Sequence, residues 1–218
     1  MVFDQGVDSP EFKQLLVDLD AAMQAGKALK NDATTTLARV SVGQYDWVIK
    51  RYNIKHWRHA LSRAFRPSRA AISCRNAHRL QQHNIKTAKP VAMIEYRWGF
   101  IRHKAYLICE YYPGIECAGY FQQDEPNAEQ RRVMKNIIDT LSALFKLNIS
   151  HGDLKATNIL ICDETPVLID LDGMRKHTSE FRFRRACRKD IRRFLKNWQQ
   201  LPTLQHSFRQ QLEHWESS

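Results

Sequence analysis

Between Asp46 and Glu95 the chain has no acidic residue. The same region, from Trp47 to Pro90, carries Lys50, Arg51, Lys55, Arg58, Arg63, Arg66, Arg69, Arg75, Arg79, Lys86 and Lys89, eleven positive charges that match the whole formal net charge of +11. Long apolar runs are also missing: none approaches the roughly twenty residues that span a bilayer. The opening Met1-Val2-Phe3-Asp4-Gln5 lacks the basic and apolar regions of a signal peptide, so a cytoplasmic chain is expected. The five cysteines (Cys74, Cys109, Cys117, Cys162, Cys187) form no C-x-x-C pair, which argues against a disulfide framework and against a zinc site. His56 and His59 have only loose metal spacing and read as part of a basic surface segment. There is no repeat, low-complexity tract or obvious linker. At 218 residues with 43% hydrophobic content, the chain is long enough for one or two modest lobes with a real core.

What is present begins with a helical signature. Phe12, Leu15, Leu16, Leu19, Ala22 and Met23 recur at helical spacing across Pro10 to Gly26, with Ser9 as N-cap and Pro10 at the first helical position. Leu37–Val42 and Tyr45–Lys50, joined by Gly43-Gln44, read as a strand hairpin. A basic helix is expected over Arg69 to His83, strands over Val91–Tyr96 and Tyr106–Tyr112 with Pro113-Gly114 ending the second, and a strong helix over Asn127 to Lys146 with Val133, Ile137, Leu141 and Leu144 on one face. Phe181–Trp198 and Ser207–Trp215 close the chain as helices.

The most informative stretch is His151-Gly152-Asp153-Leu154-Lys155-Ala156-Thr157-Asn158, followed by Asp170 in Val167-Leu168-Ile169-Asp170-Leu171-Asp172-Gly173. Two short apolar runs, Ile159–Ile161 and Val167–Ile169, flank the turn-like Asp163-Glu164-Thr165-Pro166, which makes a hairpin with polar groups at its open end. Phosphoryl transfer from ATP needs an acid that meets the attacking hydroxyl and two oxygen ligands that hold Mg²⁺ against the phosphates. Asp153 fits the first role; Asn158 and Asp170 fit the second. Lys155, two residues past the base, would stabilise charge on the transferring phosphate. His151 reads as a structural histidine with Asp190 as a buried partner, and Asp172 fits either a metal contact or the turn itself. Upstream, alternation puts Val48 and Lys50 on one strand face and Tyr45, Trp47 and Ile49 on the other. Val48 would then cover the adenine while Lys50 reaches the phosphates, and the Glu110-Tyr111-Tyr112-Pro113 connector would meet the adenine edge.

A second basic cluster, Arg182, Arg184, Arg185, Arg188, Lys189, Arg192, Arg193 and Lys196, is opposed only by Asp190. Both clusters suit anionic partners or, equally, solvated helix faces.

On these residues the chain resembles the bacterial lipopolysaccharide core sugar kinases, the Kdo/WaaP group of the kinase fold. The resemblance runs from about Thr34 to Asp190. It is carried by Val48-Ile49-Lys50-Arg51-Tyr52, Ser68-Arg69-Ala70, Arg75-Asn76-Ala77-His78-Arg79-Leu80, the segment Tyr106 to Gly114, His151 to Asn158 and Leu168 to Asp172. It implies an α+β, two-lobed protein-kinase-like fold in a single domain, with a small β-rich lobe to about residue 110 and a short helical lobe beyond it. It also implies transfer of the ATP γ-phosphate, with Mg²⁺, to a Kdo or heptose hydroxyl at the cytoplasmic face of the inner membrane. The expected partners are a core glycolipid or small sugar acceptor and an anionic membrane surface met by the basic clusters; no nucleic-acid recognition motif is interleaved with them.

Three departures from eukaryotic protein kinases bear on the acceptor. Gly152 replaces the Arg that reads an activation-loop phosphate, no Ala-Pro-Glu follows Asp170, and Asn31–Thr36 lacks the glycine pattern of a nucleotide loop. These favour a small or glycolipid acceptor over a protein. A fourth departure concerns Lys50, because the helix after it supplies no Glu to position it. The competing readings are a kinase of another small molecule or of protein, a non-catalytic nucleotide-binding scaffold, and a nucleic-acid binder. An acceptor screen, thermal stabilisation by ATP without turnover, and salt-sensitive RNA binding respectively mark them.

Overall fold

A computed structural model describes residues 2–3, 9–53, 67–99 and 101–217. Lys55, His56, Arg58, His59, Arg63 and Arg66 therefore lie outside the described residues. The chain divides into two compact units, Met1–His78 with Ala88–Tyr111, and Arg79–Thr87 with Tyr112–Ser218.

The first unit contains β1 (Val2–Phe3), α1 (Pro10–Val17), α2 (Leu19–Ala25), β2 (Lys27–Asn31), β3 (Thr35–Val42), β4 (Tyr45–Tyr52), most of α3 (Arg69–Gln82), β5 (Pro90–Trp98) and β6 (Ile101–Glu110). Its strands form one antiparallel sheet in the order β1-β5-β6-β4-β3-β2. Ser9 caps α1 by accepting the Phe12 N–H at 3.1 Å, with Pro10 in the first turn as expected. The single helix expected over Pro10–Gly26 is two helices, because Asp18 adopts an extended backbone and its Oδ1 accepts the Ala21 N–H at 2.9 Å. A residue that caps well competes with helix continuation. Phe12, Leu15, Leu19 and Met23 nonetheless stay on one apolar side and share a core with Trp47, Ile49 and Ile108 of the sheet. Strand β2 escaped the sequence reading because all five of its residues are exposed, so it shows no alternation.

Strand β4 alternates as expected: Trp47 and Ile49 are buried, while Val48 and Lys50 are half-buried on the opposite face. Tyr52, also on that face, packs with Ala70 and Cys74 of α3 and with Ala105 and Leu107 of β6.

The second unit contains β7 (Ile115–Glu116), α4 (Cys117–Tyr120), α5 (Ala128–Lys146), β8 (Ile149–Ser150), β9 (Ile159–Cys162), β10 (Thr165–Leu168), β11 (Arg175–Lys176), α6 (Glu180–Lys196) and α7 (Pro202–Ser217). Helix α5 starts on a capping box, Gln130 N–H to Asn127 Oδ1 at 2.8 Å and Asn127 N–H to Gln130 Oε1 at 3.0 Å. Val133, Ile137, Leu141 and Leu144, the expected apolar face, are fully buried. Helices α6 and α7 meet α4's end through an aromatic group in which Phe208 lies 4.9 Å from Phe194, 5.5 Å from Trp198 and 5.7 Å from Phe121. Burial of such rings dominates core energetics. The β9–β10 hairpin turns on Asp163 and Glu164, both at positive φ, the geometry that matches the twist of paired strands. Thr165 and Pro166, read from sequence as part of the turn, pair instead with Cys162 and Ile161. Proline is tolerated there because β10 is an edge strand. Helices with antiparallel sheets are the α+β class expected, and among the described residues no helix is long and apolar enough to cross a membrane.

Candidate active site

The segment His151 to Asn158 runs from β8 into β9, and its backbone is held by a single buried acid. Asp190 on α6 is 1% exposed, and its carboxylate accepts the His151 N–H at 2.7 Å and the Gly152 N–H at 3.0 Å. It is the buried partner expected for His151, but it meets the main chain rather than the ring. The ring turns the other way, with Nε2–H donating to the Ile169 carbonyl at 3.1 Å. Among the described residues Nδ1 is buried without a hydrogen-bond partner, so a proton there would have no acceptor among them. Burial holds the His151 imidazole below its ordinary pKa, against the opposing charge of Asp190. Burial pushes the Asp190 carboxyl up, and the N–H groups it accepts pull it back.

Gly152 is required on two counts. Its φ of +84 favours glycine, and a Cβ would come within 2.2 Å of the Gly173 carbonyl oxygen. That close approach seats the loop against the turn Leu171–Gly173, which follows directly after Asp170. His151 and Gly152 thus tie the loop to both sides of Asp170.

The hairpin supplies the rest. Leu168 pairs with Ile159, and Ile169 N–H donates to the Asn158 carbonyl at 3.0 Å, so Asn158 and Asp170 emerge at the same open end. The far strand is pinned as well: Thr87 Oγ1 donates to the Leu168 carbonyl at 2.7 Å, and Leu168 N–H to the Lys86 carbonyl at 3.0 Å. Asp170 itself sits in the left-handed region at φ 59, a conformation Asp tolerates better than most residues.

Asn158 Nδ2 donates to the Asp153 carbonyl at 2.8 Å and lies 3.4 Å from its Oδ2. This fixes the amide with Oδ1 turned away as a hard oxygen donor. Lys155 Nζ stands 3.1 Å from Asp153 Oδ2, while Arg193 of α6 hydrogen-bonds Oδ1. Asp153, Lys155, Asn158 and Asp170 are therefore brought to one end of one hairpin. Asn158 Oδ1 and the Asp170 carboxylate suit Mg²⁺, which takes one or two protein oxygens and completes its shell with phosphates and water.

Arg193 went unrecognised in the sequence, where it is one of eight cations in a cluster. The available signal was its position three residues after Asp190, which places both on one face of α6. The upstream candidates lie elsewhere in the fold. In the first unit, Val48 and Lys50 share a face of β4, with Lys50 Nζ 5.1 Å from the centre of the Tyr52 ring. Glu110 ends β6 and pairs with Lys89 at 3.2 Å. Tyr112, half-buried, begins the longer segment of the second unit.

Residues 9–214 match the model of a family described as the lipopolysaccharide kinase (Kdo/WaaP) family. No curated protein sequence matches the chain. A solved structure of WaaP in complex with acyl carrier protein is similar over 99% of this chain and 94% of its own, with a TM-score of 0.61 at 14% identity. At that identity the likeness concerns the fold.

Proposed function

The chain belongs to the lipopolysaccharide kinase (Kdo/WaaP) family and is a phosphotransferase; from that premise we propose that it transfers the γ-phosphate of ATP to a Kdo or heptose hydroxyl of the lipopolysaccharide inner core. The observation that supports this reading is the Asp153–Asn158–Asp170 arrangement, in which Asn158 is bonded to Asp153 and emerges beside Asp170.

In this reading Asp153 Oδ2 accepts the proton of the acceptor hydroxyl as its oxygen attacks the γ-phosphorus. The bond from phosphorus to the bridging oxygen breaks and ADP leaves. Lys155, already beside Oδ2, counters the charge that spreads onto the phosphoryl oxygens. Asn158 Oδ1 and Asp170 would hold Mg²⁺, which when bound neutralises the phosphates. Arg193 keeps the Asp153 carboxylate in one orientation, and Asp190 keeps the loop beneath it in place. In the first unit, Lys50 would meet the nucleotide phosphates, Val48 would cover the adenine, and Glu110 at the end of β6 would meet its edge. The solved relative's partner extends the reading to a test: co-purification of an acyl carrier protein with this chain.

The deciding experiment is label transfer from γ-labelled ATP with Mg²⁺ to inner-core lipopolysaccharide. Label should appear on the glycolipid with the native chain and be lost in Asp153→Ala and Asp170→Ala proteins that still melt cooperatively. Undiminished transfer by Asp153→Ala removes Asp153 as the base.

A further inference from the structure

Helices α6 and α7 and the turn between them border an open groove of about 420 Å³ lined by Arg192, Leu195, Lys196, Gln199, Gln205 and Arg209. The size falls at the lower end of the roughly 300–1,000 Å³ of small-molecule sites. Its lining is unusual: three cations, two amides, one leucine and no carboxylate. Asp, Glu and Lys, Arg are normally interspersed on a surface, and the neighbouring α6 cation Arg184 does pair, with Glu180. Among the described residues the side chains of Arg192, Lys196 and Arg209 make no ion pair or hydrogen bond. Three like charges drawn together around a concavity repel one another, a cost that an anion would remove.

The amides add direction. Gln205 Nε2 donates to the Leu195 carbonyl at 2.9 Å, which anchors the side chain at the groove wall. Two guanidinium groups offer forked N–H pairs that match phosphate oxygens, and Lys196 adds a point charge. Along α6, the exposed Arg185 and Lys189 follow i, i+4, i+7, i+11 spacing with Arg192 and Lys196 on one face, about 16 Å of helix. Arg193, adjacent in sequence to Arg192, reaches Asp153. Lys196 is only about one turn further, a rise of roughly 4.5 Å. A ligand with a hydroxyl at Asp153 and an anionic group a short oligosaccharide away would meet both places.

We propose that the Arg192–Lys196–Arg209 groove binds a phosphate monoester carried on a sugar of the glycolipid acceptor, a second handle that holds the acceptor while another of its hydroxyls reacts. The proposal rests on the acceptor class proposed above. A sugar phosphate suits the groove better than a bare membrane surface because the site is concave, local and supplied with amides, whereas a lipid surface is met by flat, diffuse positive charge.

The test is equilibrium binding without ATP, by calorimetry, of two deacylated inner-core fragments: one phosphorylated and one treated with phosphatase. The native chain should bind the phosphorylated fragment at least tenfold more tightly. The triple variant Arg192→Ala, Lys196→Ala, Arg209→Ala should lose at least tenfold for that fragment and nothing for the other. All three positions are exposed, and an unchanged melting temperature checks the fold. Equal affinities of the native chain for the two fragments, or no loss in the variant, overturn the groove while leaving the acceptor intact. No binding of either fragment overturns both. Loss by the variant on vesicles of anionic phospholipid, with fragment binding unchanged, replaces the sugar phosphate with a lipid headgroup and overturns the proposal.

Discussion

The two basic regions share a positive charge and differ in how it is used. In the stretch after Trp47, Arg51, Arg69 and Lys89 are used inside the first unit, whereas Arg75 and Lys86 are exposed. Arg51 Nη1 donates to Asp20 at 2.8 Å and its Nε to Asn53 at 3.0 Å; Lys89 pairs with Glu110; Arg69 lies 5.0 Å from the centre of the Tyr52 ring. On α6, by contrast, Arg185, Lys189, Arg192 and Lys196 are exposed and have no carboxylate partner among the described residues, while Arg193 is turned to Asp153. The difference lies in what each region packs against. Asp20, brought over the sheet by α2, gathers Arg51, Lys104 and Tyr106, whereas among the described residues no carboxylate pairs with Arg185, Lys189, Arg192 or Lys196 of α6. Charge that looks uniform in sequence is thus divided into charge that holds the fold, charge that orients a carboxylate and charge left for an anion.

Four experiments break or sharpen this contrast. The largest effect is expected for Arg193→Ala, which releases one oxygen of Asp153. Phosphate transfer should fall roughly ten- to a hundredfold in kcat, the scale on which small misplacement of a reacting group acts. Arg193→Lys should recover part of it, and the pH profile of kcat should shift with the loss; an unchanged rate would return Arg193 to the displayed class. Next, Arg51→Ala leaves Asp20 short of a partner and should lower stability by about 1–2 kcal/mol in urea unfolding.

Third is the acid limb of stability. Burial acts to raise the Asp20 carboxyl, but hydrogen bonds from Lys104, Arg51 and Tyr106 outweigh it and hold its pKa at about 2. A folded-state value below the ordinary carboxylate range means the unfolded chain takes up the proton first as pH falls. The contribution is complete above about pH 4 and is lost as pH falls through about 2. With solvent screening it should amount to about 1 kcal/mol. Asp20→Asn should remove it, narrowing the stability difference between pH 5 and pH 2. The smallest effect is expected for Arg185→Ala with Lys189→Ala, within about 0.5 kcal/mol of native stability, since neither side chain holds a partner among the described residues.

The legible parts of the molecule were the local ones. The hairpin and the flanking Asp153, Asn158 and Asp170 follow from short-range apolar runs and polar turns. The α5 helix follows from its spacing and from Asn127 at its start. Where local signals conflicted, as at Asp18, the cap prevailed over the apolar period; where they were absent, as in exposed β2, the strand could not be read. Pro166 misled because proline marks turns in general and is tolerated in an edge strand only when the edge is known.

The sequence by itself determined which residues are candidates for the chemistry, because the roles proposed for Asp153, Asn158 and Asp170 depend on residue type and on spacing within one loop and one hairpin. Only the tertiary structure decided what surrounds them. Asp190 binds main-chain N–H groups rather than a ring, Gly152 is needed for the approach of Gly173, Arg193 faces Asp153, and Arg209 joins Arg192 and Lys196 across two helices. Those choices rest on packing between segments distant in sequence, where burial of apolar faces fixes which way each helix turns, and the polar groups it carries then meet whatever that rotation brings within reach.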